Sequence, residues 1–145
     1  MYGKSKSLGE PENCTVVRTS IIGEEVSNGR SLLEWVKSNK NGSANGFLNH
    51  FWNGLTCLEV AKFIEREFLV KNNYWQGVKH VFSNKINKAE LLNLINKYYD
   101  LNINVNPTNA PIFCDRSMVS IYETSDFNIP SLEKQIEEMS NFNIN

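Results

Sequence analysis

Tyr2 and Lys6 stand four residues apart, a spacing that puts both side chains on one face of a helix, one turn from each other. An ammonium beside a phenol stabilises the phenolate and draws the tyrosine pKa down from about 10 toward working pH. Such a tyrosine can protonate a carbonyl oxygen as hydride reaches the carbon. Taken alone, the spacing is more often that of a surface helix pair, which five tyrosines in a lysine-rich chain produce by chance. Arg18 and Arg116 carry planar guanidinium forks, which suit either a carboxylate partner or a diphosphate. Asn49 and Asn53 can hydrogen-bond sugar hydroxyls or simply build turns, and Trp52 can stack on a ring or fill the core. His50 and His80 have no Cys, Asp or Glu at ligand spacing, so no metal site is expected.

The elements that must position these groups announce themselves mainly by caps. Ser31 with Glu34 and Thr56 with Glu59 fit the S/T-x-x-E capping box, and Asn87 with Glu90 is a looser version. After Thr56, the residues Leu58, Ala61, Ile64 and Phe68 recur at helical spacing, which predicts a helix to about Leu69. Leu91, Leu92, Ile95 and Tyr98 repeat the pattern after Asn87, and a last helix begins near Pro130-Ser131. Between them lie β-rich runs at Cys14–Thr19, Phe47–Phe51, Val78–Phe82 and Ile103–Val105. Strands followed by helices imply an α/β class with parallel pairings. No internal repeat and no clear interdomain linker is visible.

Composition narrows the partners. The chain has 145 residues, enough for one domain with a real core, and a formal net charge of -1. That charge gives no reason to expect nucleic acid or an anionic membrane as partner. No apolar run approaches the ~20 residues that cross a bilayer. Cys14, Cys57 and Cys114 are odd in number and widely spaced, which suits reduced thiols and a cytoplasmic location.

A longer string gives the tyrosine more weight. Tyr2-Gly3-Lys4-Ser5-Lys6-Ser7-Leu8-Gly9-Glu10 resembles the active-site helix of the extended short-chain dehydrogenase/reductases, with its Y-G-x-[ST]-K and following G-E. The run Thr15 to Ser20 then resembles the strand that ends between nicotinamide and sugar nucleotide. Asn49 to Thr56 looks like the family's substrate-side segment, and Val78–Ser83 with Asn87–Leu92 like its next strand and helix. Cys114 to Ser120 is similar to an R-P-x-x-S-like element, although Ser117 stands where relatives have proline, and Ile129 to Glu133 resembles their closing helix. Within the family, the pattern is nearest the dTDP-4-dehydrorhamnose reductases.

The resemblance implies a fold, a reaction and roles for residues. The chain would be a single C-terminal, substrate-binding portion of a Rossmann-type extended short-chain reductase. Residues 1–23 would hold the active-site helix and last core strand, and 24–145 the small sugar-nucleotide-binding region. The reaction would be NAD(P)H-dependent reduction of a nucleotide-linked 4-keto-6-deoxy sugar. Tyr2 would donate the proton, and Lys6 would lower its pKa and hold the nicotinamide ribose, with Ser20 also beside the cofactor. Arg18, Asn49, Trp52, Asn53 and Arg116 would line the nucleotide-sugar site. No glycine-rich turn of the G-x-x-G-x-x-G type occurs here, so NADP or NAD would be bound mainly by an N-terminal half outside this chain; that half, or further copies of the chain in a homo-oligomer, would be its protein partners. Epimerases and dehydratases that share Y-x-x-x-K, and a non-catalytic sugar-nucleotide-binding module, are the alternatives. Without that half, a strand edge beside Cys14–Thr19 is expected to stay unpaired.

Overall fold

The computed structural model describes residues 8–11, 13–27, 29–121 and 127–142. Nine strands and four α-helices follow one another among them: β1 (Thr15–Arg18), β2 (Ile21–Ile22), α1 (Leu32–Ser38), β3 (Ser43–Phe47), β4 (His50–Trp52), β5 (Leu55–Thr56), α2 (Cys57–Ile64), β6 (Gly77–His80), β7 (Ile86–Asn87), α3 (Lys88–Tyr98), β8 (Asn104–Thr108), β9 (Cys114–Asp115) and α4 (Leu132–Ser140). A π-helical turn and a half, Glu65–Val70, carries α2 onward, so the helical run ends close to the expected Leu69. β1 pairs with β6, β2 with β5 and β3 with β8, all parallel. The fourth sheet has the order β7-β4-β9, antiparallel on the β7 side and parallel on the β9 side. The mixed α/β class expected from the sequence is therefore present. β1 has β6 on one edge and no described strand on the other.

The helices start where their caps stand. Ser31 accepts from Glu34 N, Thr56 from Glu59 N, and Ser131 from Lys134 N. The complete reciprocal box is the one at Asn87, where Glu90 Oε2 also accepts from Asn87 N at 2.8 Å. Positioned in this way, α1, α3 and α4 bury Leu33, Val36, Leu91, Leu92, Ile95, Leu132 and Ile136 in one cluster. Leu55, Phe63, Val81 and Phe127 form a second cluster under β1 and β6. Gln135 ties the helix layer to β5. Its Oε1 accepts from Thr56 N at 2.9 Å while its Nε2 donates to Pro130 O at 2.8 Å.

The expected strand Phe47–Phe51 is two strands separated by a turn. Asn49 stands at the break: its side chain bonds both Ala110 N and Ala110 O, at 2.9 and 2.8 Å, while its carbonyl accepts from Cys114 N at 3.1 Å. β3 instead begins at Ser43, in a stretch with little β-propensity. Close packing explains its small residues. A Cβ on Gly46 would lie 2.7 Å from Ala89 Cα and 2.9 Å from Val105 Cγ1, so glycine is what lets α3 lie against β3 and β8. β8 runs to Thr108 through Pro107, which is tolerated because β3 is its one described neighbour.

Two buried carboxylates sit on α2 and its extension, and they differ in how they are held. Burial works against the Glu67 charge. Bonds from Lys71, Asn73 and Arg66 outweigh it and keep that carboxyl below the ordinary range. Glu59 has only Arg66 at 3.6 Å, and burial pushes its carboxyl up despite Arg66 and Lys62. A group whose native pKa is raised costs stability once it ionises, and that cost disappears as pH falls below the unfolded value of about 4.3. Glu59→Gln is therefore expected to raise the thermal midpoint at pH 8 and to make no difference near pH 4. Thermal melts of both proteins across that range check it, and a midpoint lowered at pH 8 contradicts it.

Candidate functional site

The β7-β4-β9 sheet is small, but its two faces are chemically unlike. Phe51 is level with Asn87 on one side and Asp115 on the other, and His50 with Cys114. Side chains alternate between faces along a strand, so His50, Trp52, Cys114 and Arg116 share one face, and Phe51 and Asp115 the other. The Phe51 face is neutralised. Lys85 donates to Asp115 Oδ2 at 2.6 Å and lies 4.5 Å over the Phe51 ring. Lys85, with the Ser117 hydroxyl and amide, holds the Asp115 carboxyl down to about 2.

An open cleft of about 490 Å³ is floored by His50, Phe51, Trp52, Cys114 and Arg116 and walled by α1, the start of α3 and β2 with Gly23. Trp52 and His50 form the middle of the floor, with Arg116 on the β9 flank and Lys88 on the β7 flank. Neither cation has an ion-pair partner among the described residues, and no Asp or Glu is among the residues lining the cleft. Lys88 is half-buried, its ammonium 5.1 Å from the ring centroids of both Phe47 and Trp35. Burial pushes its pKa below the usual lysine range. Two cations without an ion-pair partner among the described residues, Lys88 over aromatic rings and Arg116 on the opposite flank, favour an anion in this cleft.

The sequence-derived candidates divide on this geometry. Trp52 and Arg116 line the cleft, whereas Arg18, Ser20, Asn49 and Asn53 do not. Arg18 makes a fork-to-fork pair with Glu10, at 2.8 and 2.6 Å, and Glu10 is held below the ordinary carboxylate range by it. Ser20 supports the floor: Trp52 Nε1 donates to its Oγ at 2.8 Å. Asn53 is buried and bonds both the amide and the carbonyl of Met118, at 2.7 and 2.8 Å. With the matching pair from Asn49 to Ala110, these two asparagines clip the segment from 110 to 118 against residues 49–53. His50 Nε2–H donates to Ile112 O at 3.0 Å, and Arg116 N to Phe51 O at 3.0 Å, completing that docking. Asn49 and Asn53 thus act on the cleft by fixing where Arg116 begins. Tyr2 and Lys6 lie outside the described residues.

Lys88, His50, Phe47 and Cys114 belong to the cleft and were not singled out as site residues from the sequence. Lys88 left a signal there. A cation in the first turn of a helix opposes the helix dipole, and such a placement asks for a reason outside the helix.

No family model matches the sequence, and no curated protein matches it. Solved structures do resemble the fold. The dTDP-4-dehydrorhamnose reductase of Bacillus anthracis, in complex with NADP, is 18% identical with a TM-score of 0.63, over 86% of this chain and 46% of that one. The dTDP-4-dehydrorhamnose reductase of Yersinia enterocolitica is 16% identical with a TM-score of 0.64, over 87% and 48%. The UDP-N-acetylglucosamine 4-epimerase of Methanobrevibacter ruminantium M1, in complex with UDP-N-acetylmuramic acid, is 16% identical with a TM-score of 0.58, over 96% and 48%. The structural neighbours are thus dTDP-4-dehydrorhamnose reductases and related extended short-chain enzymes, and this chain has the fold of part of their Rossmann-type architecture. It spans about half the length of these neighbours. No helix among the described residues is long and apolar enough to cross a membrane.

Proposed function

We propose that the cleft binds a nucleotide sugar, and that the chain supplies the substrate-binding portion of an NAD(P)H-dependent reductase acting on a 4-keto-6-deoxy sugar. One observation carries the reading: Arg116 and Lys88 line the cleft beside Trp52, Phe51 and Phe47, with no ion-pair partner among the described residues and no Asp or Glu in the described lining. A diphosphate provides the anion for Arg116, and Trp52 offers a flat surface for a base or sugar ring. Tyr2 would then protonate the carbonyl oxygen and Lys6 tune it, with nicotinamide held mainly by residues outside this chain. The reductases among the fold neighbours favour this reaction, and the site would work within a soluble, cytoplasmic enzyme of nucleotide-sugar biosynthesis.

Binding is the part the chain can be asked to perform directly. Calorimetric titration with dTDP and UDP should give saturable binding that Arg116→Ala weakens by about 10–100-fold, the worth of about 1.5–3 kcal/mol for hydrogen bonds to a charged group. Absence of binding, or an unaffected Arg116→Ala variant, rejects the cleft as the nucleotide site.

An epimerase is the second reading, favoured by the 4-epimerase that covers 96% of this chain. The two part on cofactor. An epimerase regenerates its bound NAD within each turnover, whereas a reductase consumes NADPH in proportion to product.

A further inference from the structure

Lys88 differs in its surroundings from most lysines of the described chain. Lys37, Lys62, Lys71, Lys85, Lys97 and Lys134 each have a carboxylate oxygen within 2.9 Å, and an ion pair keeps the proton on the amine. Lys88 instead opens on two hollows, the cleft and a neighbouring one of about 410 Å³, and no Asp or Glu is in the described lining of either. The rings of Phe47 and Trp35, both 5.1 Å from its nitrogen, fix where the amine stands. Burial between them disfavours the charge and pushes the pKa below the usual lysine range. A desolvated amine of this kind is an activated nucleophile. Arg116 lines the same cleft and stays charged, so the surroundings attract anionic reagents.

From this juxtaposition we infer that Lys88 is a modification site for anionic acyl donors of the acyl phosphate class, and that its acylation switches off anion binding in the cleft. The second half rests on the nucleotide-sugar reading of the cleft. In the reaction, the ammonium first gives a proton to solvent. The nitrogen lone pair then attacks the acyl carbon, and a C–N bond forms as the C–O bond to phosphate breaks. Phosphate leaves with the electron pair of that bond, and the second nitrogen proton to be lost passes to solvent. The product is a neutral amide, so one of the two cations of the cleft is gone.

The test uses the full chain and acetyl phosphate near pH 8, with the acetylation of each lysine followed over time by mass spectrometry of proteolytic peptides. Lys88 should react about fivefold or more faster than Lys62, Lys85 or Lys97, the factor by which an exposed ion pair slows the others. In guanidinium chloride, where the hollows and ion pairs are lost, that lead should vanish. UDP and dTDP are then titrated calorimetrically against treated and untreated protein. Treatment should weaken binding about tenfold or more, whereas Lys88→Arg, treated alike, should keep the affinity it had untreated, which accounts for acetylation elsewhere. If Lys88 reacts no faster than the paired lysines, or keeps its lead in denaturant, the inference falls and the cleft reading stands. If Lys88 is acetylated first and nucleotide affinity does not change, the switch is overturned while nucleotide binding remains. If no nucleotide binds the untreated chain, the nucleotide reading and the switch fall together, and the relative rates still decide whether Lys88 is the acylation site.

Discussion

Gly54→Ala is expected to disable the cleft more thoroughly than any other single methyl group. Gly54 is buried between β4 and β5, and a Cβ there would overlap the Ser20 carbonyl oxygen and the Trp52 ring carbon Cζ2, with Cε2 at 2.7 Å. Both neighbours are fixed. Ser20 O accepts the amide of Leu55 at 2.8 Å, and the indole donates to Ser20 Oγ at 2.8 Å. Neither can yield without breaking the bonds that join the Ser20 turn to the floor. Overpacking of this kind costs about 1–3 kcal/mol, and each hydrogen bond lost adds about 1 kcal/mol. The ring either turns out of place or the β2–β5 pair separates. The expected result is a thermal midpoint lower by about 5 °C or more, with nucleotide affinity lost beyond what unfolding explains. Ala at this site with an unchanged melt and unchanged affinity contradicts the packing account. Ser20→Ala offers a graded comparison, since it removes the indole's acceptor without adding volume.

Tyr2→Phe is expected to have the largest effect on turnover. The expectation comes from the chemistry of a tyrosine–lysine pair and from the resemblance of the string Tyr2 to Glu10. Phenylalanine preserves the ring and removes the proton donor. General-acid catalysis contributes typically ~10²–10⁴-fold, so kcat should fall by about that factor in an assembly that supplies the glycine-rich cofactor turn. Nucleotide-sugar affinity should change little, because the hydroxyl acts on the alkoxide that develops in the transition state. Lys6→Met should match that loss and also raise the KM for NADPH, since the ammonium would serve both phenol and ribose. Arg116→Ala should show the opposite split, raising the KM for the sugar more than it lowers kcat. Retention of most turnover by Tyr2→Phe, assayed with a 4-keto-6-deoxy nucleotide sugar and NADPH, removes this residue from the chemistry.

The helices were legible because local groups specify them. Ser31, Thr56, Asn87 and Ser131 each place an oxygen where an orphan amide needs it, and an apolar face follows at the right period. β3 was not legible, because Ser43-Ala44-Asn45-Gly46 is selected for closeness to α3 and not for strand propensity. The same division runs through the site. Arg116 and Trp52 could be singled out as a cation and an aromatic in a resembling segment. The roles of Asn49 and Asn53 depend on partners 61 and 65 residues away, which no local pattern announces. Lys88 enters the cleft through the pairing of β7 with β4, a register that the sequence alone did not disclose.

Every described strand pairing joins segments far apart in sequence. Thr15 meets Gly77, Ser43 meets Asn104, His50 meets Cys114, and the nearest partners, Ile21 with Leu55 and Trp52 with Ile86, are still 34 residues apart. No hairpin occurs among the described residues to start a sheet, so their ladders form only after long loops close. During synthesis at about 5–20 residues per second, β1 waits roughly 3–12 s for β6 to be made, with the β6-facing edge of Val16 and Val17 open meanwhile. The nascent chain therefore has to be kept from intermolecular strand exchange by its own early helices or by chaperones, and its yield in a cell should track how well that interval is covered.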